Sequence, residues 1–225
     1  LKKTSFPLAV LVLVAGMSLV ATHWAIWLYA PVETTMGLVQ KVFYLHLPLA
    51  WWALISFFMV FVGSIGVLWR KRDFWDHLAG SAAEIGIFFS GLALITGSLW
   101  ARPAWNVWWT WDPRLTTTLI MWFVYMGYIV LRSSPLPLNR RRMLCAVLGI
   151  VAFVDIPLVF LSTRLWRSIH PSVVSATGGG MEPEMWQTMG ISLAAMGLLW
   201  LSLLIFRLRQ LTSQARLDAL WATRL

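Results

Sequence analysis

Side chains able to do chemistry crowd into one short stretch, Trp100 to Thr116, which reads W-A-R-P-A-W-N-V-W-W-T-W-D-P-R-L-T. Trp105, Trp108, Trp109 and Trp111 stand beside Asp112 and Arg114, in a segment with two prolines and an apolar run on either side. An indole joins an apolar body to a polar N–H, so tryptophans settle at membrane boundaries, but an anchor needs only one or two. Two readings stay open: an aromatic surface for something large, planar and apolar, or a re-entrant loop held down by its tryptophans. Asp112-Pro113 also suits a helix start, with Asp as cap and Pro in the first position, which is compatible with a functional role.

The elements that must position this stretch are membrane spans. Of 225 residues, 59% are apolar and 12% charged, about half the charge of an ordinary soluble domain. A span needs about 20 apolar residues, and six such runs occur, at about 6–29, 43–69, 79–101, 115–131, 143–161 and 188–206. The expected fold is therefore an all-α, six-helix membrane bundle forming one domain, with the tryptophan segment at 100–116 and a long loop at 162–187. No room remains for a soluble catalytic domain.

A net charge of +9 would suit nucleic acid, but the distribution argues for topology. Lys2, Lys3, Arg70, Lys71, Arg72, Arg132, Arg140, Arg141, Arg142, Arg207, Arg209, Arg216 and Arg224 fall with the termini and even-numbered loops. The opposite loops hold only Lys41, Arg102, Arg114, Arg164 and Arg167. The positive-inside rule then puts both termini in the cytoplasm and the tryptophans outside. The single cysteine, Cys145, makes neither a disulfide within the chain nor a C-x-x-C pair and reads as packing.

Along the chain, the first run is too long for a signal peptide and reads as a retained span, with His23 interfacial. The segment from Arg70 to His77 reads as a short solvated loop. Glu84 is expected to pair with Arg70, Lys71 or Arg72, and the small residues Gly80, Ser81, Ala82, Ala83, Gly86, Gly91 and Gly97 to allow close helix packing. Asp155-Ile156-Pro157 interrupts the fifth run, and the carbonyl freed by Pro157 needs a donor, for which a protonated Asp155 is one candidate. Gly178-Gly179-Gly180 reads as linker, and the tail from 207 as lying along the cytoplasmic surface.

Two histidines share the outer side with the tryptophans. His46, in F-Y-L-H-L-P-L-A-W-W, is five residues inside Lys41, about 7–8 Å below the surface at the helical rise. An ionisable group at that depth is a functional candidate, the alternative being a neutral His bonded to a neighbouring helix. Pro48 invites a kink nearby, and Ala50, one turn on, leaves space on the same face. His170 follows Trp166 and Arg167. Haem is a planar apolar ring with two carboxylates and an iron that takes two axial ligands, commonly imidazoles. The tryptophans offer a stacking surface, His46 and His170 axial nitrogens, and Arg102, Arg114, Arg164, Arg167 and Lys41 partners for propionates.

The segment W-N-V-W-W-T-W-D-P-R-L-T resembles the WWD signature of membrane haem-handling proteins. With Y-L-H-L-P-L-A-W-W, D-I-P-L-V-F-L-S and W-R-S-I-H-P-S in this order, the chain is similar along essentially its whole length to the CcmC family, haem exporter protein C of bacterial cytochrome c maturation. The resemblance implies that His46 and His170 are axial ligands of a b-type haem, and that Trp105, Trp108, Trp109, Trp111, Asp112 and Arg114 belong to the segment that receives the ring. It also implies an inner-membrane location, delivery to a periplasmic haem chaperone of the CcmE type, and assembly with an ATP-binding subunit, a second membrane subunit and a small single-span subunit (CcmA, CcmB and CcmD types). No ATP-binding motif occurs in the chain, so a non-enzymatic subunit is implied. Two residues depart from the family pattern: Asn106 stands where Gly is usual, and Leu165-Trp166 where paired aromatics are common.

The principal rival is an electron-transfer cytochrome b subunit, which usually holds haem between histidines deep in the bundle, often with a second haem toward the other face. Only His77 lies on that face. The larger WWD-type haem ligases carry extra spans that are lacking here, and a haem-free permease or assembly subunit is the plainest alternative.

Overall fold

A computed structural model of the protein describes residues 5–70, 72–170 and 181–222. The elements are α1 (Ser5–Trp24) with a π-helical turn (Ala25–Tyr29), a 3₁₀ turn (Leu38–Val42) leading into α2 (Phe43–Arg70), α3 (Asp73–Trp105), α4 (Pro113–Arg132), α5 (Leu138–Ala152), α6 (Asp155–Leu165) and α7 (Pro183–Ala222). Six segments are long and apolar enough to cross a membrane: Pro7–Tyr29, Leu38–Arg70, Asp73–Trp105, Pro113–Arg132, Leu138–Leu165 and Pro183–Ala222. The expected all-α polytopic architecture is thus the observed one, with α5 and α6 together making the fifth crossing.

The central pair is α2 and α3, which α4, α5 and α7 surround, while α1 packs chiefly on α7. Lipid is as apolar as a leucine side chain, so burial between helices gains little and close contact must supply the attraction. Small residues of α3 provide it. Ala79, Ala82, Ala83 and Gly86 are buried, and a Cβ on Gly86 would stand 2.7 Å from the Phe57 ring and 2.9 Å from Ser56. Phe57 in turn stacks on Tyr125 at 3.7 Å, joining α2 to α4. Trp52 stacks on Trp200 at 4.9 Å, and the Trp200 indole N–H donates to the Ser56 hydroxyl at 2.7 Å, joining α2 to α7. Cys145 is buried on α5, in keeping with a packing role.

Several local expectations are corrected. His77 is not in a solvated loop: α3 begins at Asp73, and His77 is buried on it with Nδ1 3.2 Å from the Thr212 hydroxyl of α7. Glu84 pairs not with the 70–72 cluster but with Arg207, whose Nη2 and Nε reach its two oxygens; Lys71 lies outside the described residues. The tail from 207 continues α7 as helix as far as Ala222. The carbonyl freed by Pro157, that of Phe153, accepts the Ile156 amide at 3.1 Å and needs no carboxyl donor. The long loop is shorter than expected, since α6 runs to Leu165 and α7 starts at Pro183; Pro171 and Gly178 to Gly180 fall outside the described residues.

At one end of the bundle, arginines bridge helices. Arg132 of α4 donates through two nitrogens to Asp76 of α3 at 2.7 and 2.9 Å, and Arg142 of α5 reaches Asp73 at 2.7 Å and Asp76 at 3.5 Å. The tryptophan segment and both outer histidines lie at the other end.

Candidate functional site

His46 stands near the start of α2, and the approach to it is tightly built. The Glu33 carboxylate accepts the backbone N–H groups of Met36 and Thr35, which hold it below the usual carboxylate range. Gly37, at φ +60°, turns the chain into the 3₁₀ turn. Lys41 is buried, and its ammonium donates to the carbonyls of Ile26 at 2.7 Å and of Trp27 and Ala30 at 3.3 Å. These groups end the π-helical turn, where carbonyls lack helical partners. Lys41 therefore fastens α2 to α1, and its charge already has partners within the fold.

On the inner side, His46 faces α3. Its Nδ1 is 3.1 Å from the Thr96 hydroxyl, and a Cβ on Gly97 would come within 3.1 Å of the ring carbon Cε1. Neither Thr96 nor Gly97 is singled out by sequence, because a threonine and a glycine in an apolar helix ordinarily serve packing. The only legible signal is their place one turn before Trp100.

Asp112 organises the other half. It caps α4, with Oδ1 accepting the Arg114 amide at 2.9 Å and its carbonyl accepting the Thr116 amide at 2.9 Å. Its Oδ2 accepts the Ile169 amide at 2.9 Å, across 57 residues of sequence. Burial alone would raise this carboxyl, but hydrogen bonds from the Ser168 hydroxyl and the Ile169 and Arg114 amides outweigh it and hold the group below the ordinary aspartate range. Ser168 also accepts the His170 amide at 3.1 Å through its hydroxyl oxygen. The residue that caps α4 thus also accepts a backbone N–H from the 168–170 stretch. Arg114, two residues into the same turn, points Nη1 at His170 Nδ1, 3.3 Å away.

His46, at the start of α2, and the Arg114–His170 contact lie at the same end of the bundle. The indoles are arranged less simply than a flat platform. Trp109 and Trp111 meet edge to face at 6.0 Å and 83°, and Trp100 and Trp105 likewise at 5.1 Å and 89°. Trp108 and Trp111 are the exposed ones, at 58% and 76%, and the Arg102 guanidinium lies 6.0 Å over the Trp108 ring. Arg102 also donates to the Asn106 carbonyl and side chain. Asn106 itself adopts φ +57°, ending α3 in the left-handed region. Asparagine is among the few residues other than glycine that occupy that region readily, as the turn at the end of α3 requires. Arg164 and Arg167 are exposed.

Known proteins match this chain over most of its length. The profile of the family described as "Heme exporter protein C" matches residues 2–223. Heme exporter protein C of Rhodobacter capsulatus is 34% identical over 195 residues, 85% of this chain and 81% of that one. The Escherichia coli protein of the same name is 31% identical over 205 residues, 88% and 81% of the two chains. That of Bradyrhizobium diazoefficiens is 35% identical over 151 residues, 67% of this chain; there the matched part spans only 57% of the relative's length. With a profile match that takes in the His46 helix, the capped tryptophan segment and the stretch carrying His170 alike, the protein belongs to the haem exporter protein C family.

Proposed function

We propose that this protein is the membrane subunit that holds haem during cytochrome c maturation and presents it outside the membrane. In this reading haem is cargo, not a resident cofactor. His46 and His170 bind its iron, Trp105, Trp108, Trp109 and Trp111 receive its ring, and Arg114 pairs with a propionate. Asp112 keeps the segment carrying His170 in place. The observation that carries the reading is the contact of Arg114 with His170, from distant parts of the chain, beside the Asp112 cap of the tryptophan segment and at the end of the bundle where the His46 helix starts.

The donor set suits that cargo. Neutral imidazole is a good ligand for haem iron, a guanidinium matches a carboxylate in two parallel hydrogen bonds, and exposed indoles present apolar faces. His170 is tethered to an exposed segment rather than buried in the bundle, which favours transfer of haem over permanent residence. By the charge distribution the site faces the periplasm of a bacterial inner membrane, with both termini cytoplasmic. The receiver is a periplasmic haem chaperone of the CcmE type. ATP-binding, second membrane and single-span subunits (CcmA, CcmB and CcmD types) complete the assembly and supply any energy input, so this chain is not itself an enzyme.

The test is to purify the protein from haem-replete membranes and determine the type and amount of haem by the pyridine haemochrome spectrum. Noncovalent b-type haem is expected, lost in the paired variant His46→Ala/His170→Ala. A haem content unchanged by removal of both imidazoles would refute the assignment. Stable haem with no crosslink to the chaperone would favour an electron-transfer cytochrome instead.

A further inference from the structure

We propose that the groove between α3 and α7 at the Arg132 end of the bundle binds one phosphatidylethanolamine, with Arg207 on its phosphate and Glu84 on its primary ammonium. The site is separate from the haem-holding one above, and the two stand or fall independently.

The groove has the polarity of an amphiphile. Its apolar part is Ile85 and Phe88 of α3 with Leu203 and Phe206 of α7, and its polar part is Glu84, Arg207 and Gln210. The contacts of His77 with Thr212 and of Glu84 with Arg207 show that α3 and α7 run in opposite directions here. Phe88 follows Glu84 by one turn, and Leu203 precedes Arg207 by one turn. On both helices the apolar lining therefore lies about 6 Å deeper in the membrane than the charge. The apolar run of α7 ends at Phe206, which puts Arg207 where acyl chains give way to headgroups. Ile85 is buried whereas Phe88 and Phe206 are exposed, so the groove opens toward lipid.

The ion pair at the rim has bonding capacity left. Arg207 donates through Nε and Nη2 to the two oxygens of Glu84, and through Nη1 to the Gln210 side-chain oxygen. A guanidinium has further N–H groups beyond these, and a carboxylate has further lone pairs beyond the two that Arg207 takes. The two side chains are 30% and 34% exposed, whereas those of Arg132 and Asp76 at the same end are 17% and 9% exposed. Charges of both signs, side by side at the boundary, complement a headgroup that carries both. The phosphate accepts from the remaining guanidinium N–H groups, and the ammonium donates to the carboxylate. A choline headgroup has no N–H to donate, and a glycerol headgroup has no cation. A membrane helix laid in the groove would have to bury the pair among apolar side chains at a cost in desolvation. A lipid leaves the pair in the headgroup layer, while an acyl chain follows Leu203 between the two phenylalanines.

Native mass spectrometry of the full-length protein tests this after equilibration in detergent with equimolar phosphatidylethanolamine, phosphatidylcholine and phosphatidylglycerol of identical acyl chains. The wild type is expected to retain one phosphatidylethanolamine about tenfold over either competitor, as one charge-assisted hydrogen bond would give. Leu203→Trp, which fills the apolar part of the groove, should abolish that retention. Glu84→Gln removes the negative charge while keeping an acceptor for Arg207, and should turn the preference to phosphatidylglycerol. In the wild type, which needs no variant to fold, no retained lipid, equal retention of the three, or a preference for either competitor overturns the proposal. A preference for phosphatidylethanolamine that survives in either variant, folded, overturns it as well.

Discussion

The two ends of the bundle are stabilised in opposite ways. At the Arg132 end, α3, α4, α5 and α7 are tied by charged pairs, with Arg132 on Asp76, Arg142 on Asp73 and Asp76, and Arg207 on Glu84. At the Asp112 end, one carboxylate accepting neutral donors ties the start of α4 to the segment at 169, and the indoles of Trp108 and Trp111 are left exposed. At the first end these charges hold one another across helices. At the second end a guanidinium rests on an imidazole, a weaker partner than a carboxylate, and is ready to exchange it.

That contrast can be broken at either end. The largest effect is expected from Arg132→Ala, which leaves the buried Asp76 only its 3.5 Å contact with Arg142; losing one member of such a pair costs about 3 kcal/mol. The midpoint of thermal unfolding in detergent should fall sharply, while the haem spectrum of the protein that remains folded should keep its wild-type shape. Asp112→Ala removes charge-assisted hydrogen bonds to the Ile169 and Arg114 amides, worth about 2 kcal/mol in all. Here the emphasis should reverse: haem retention, followed by the rate of transfer to excess apomyoglobin, should suffer more than membrane insertion or unfolding temperature.

Smaller changes sharpen the picture. Gly97→Ala crowds His46 at 3.1 Å and should weaken haem binding by about 1 kcal/mol, roughly fivefold, seen as an increased dissociation constant in spectral titration. Trp111→Ala deletes a ring that is 76% exposed, so stability should stay within about 0.5 kcal/mol of the wild type, with a modest loss of haem affinity by the same titration. The smallest effect concerns pH. Because the folded Asp112 carboxyl is held below its ordinary value, its tether is complete above about pH 4 and is lost only as pH falls through the depressed folded value. Tryptophan emission of the haem-free protein should therefore be flat from about pH 8 to about pH 5. A transition inside that window that disappears in Asp112→Asn would show that the hydrogen bonds do not stabilise the charged form.

Span number and helical class are legible in the sequence because an apolar run of about 20 residues matches the bilayer core and is seldom used for anything but a span. Asp112 is legible twice, as cap and as neighbour of the tryptophans, and both roles are served by the same carboxylate. The partners of charged residues are less legible. Glu84 lies close in sequence to the 70–72 cluster but pairs with Arg207, because α3 and α7 pack side by side and sequence distance does not report that. His77 reads as loop since charged residues flank it, yet those charges pair across helices and allow α3 to begin at Asp73. Lys41 reads as a candidate for a propionate, and three backbone carbonyls claim it. Gly97 reads only as one of the small packing residues, and nothing ties it or Thr96 to His46 until the packing of α2 on α3 brings them against that ring.

Electron paramagnetic resonance of the ferric haem-loaded protein tests the central claim most directly, since a pair of imidazoles on one iron gives a distinctive low-spin signal. That signal should be present in the wild type and in Arg132→Ala, and should give way to a high-spin one in His46→Ala and in His170→Ala separately. Retention of the low-spin signal in either single histidine variant would contradict the claim that these two residues together grip the metal.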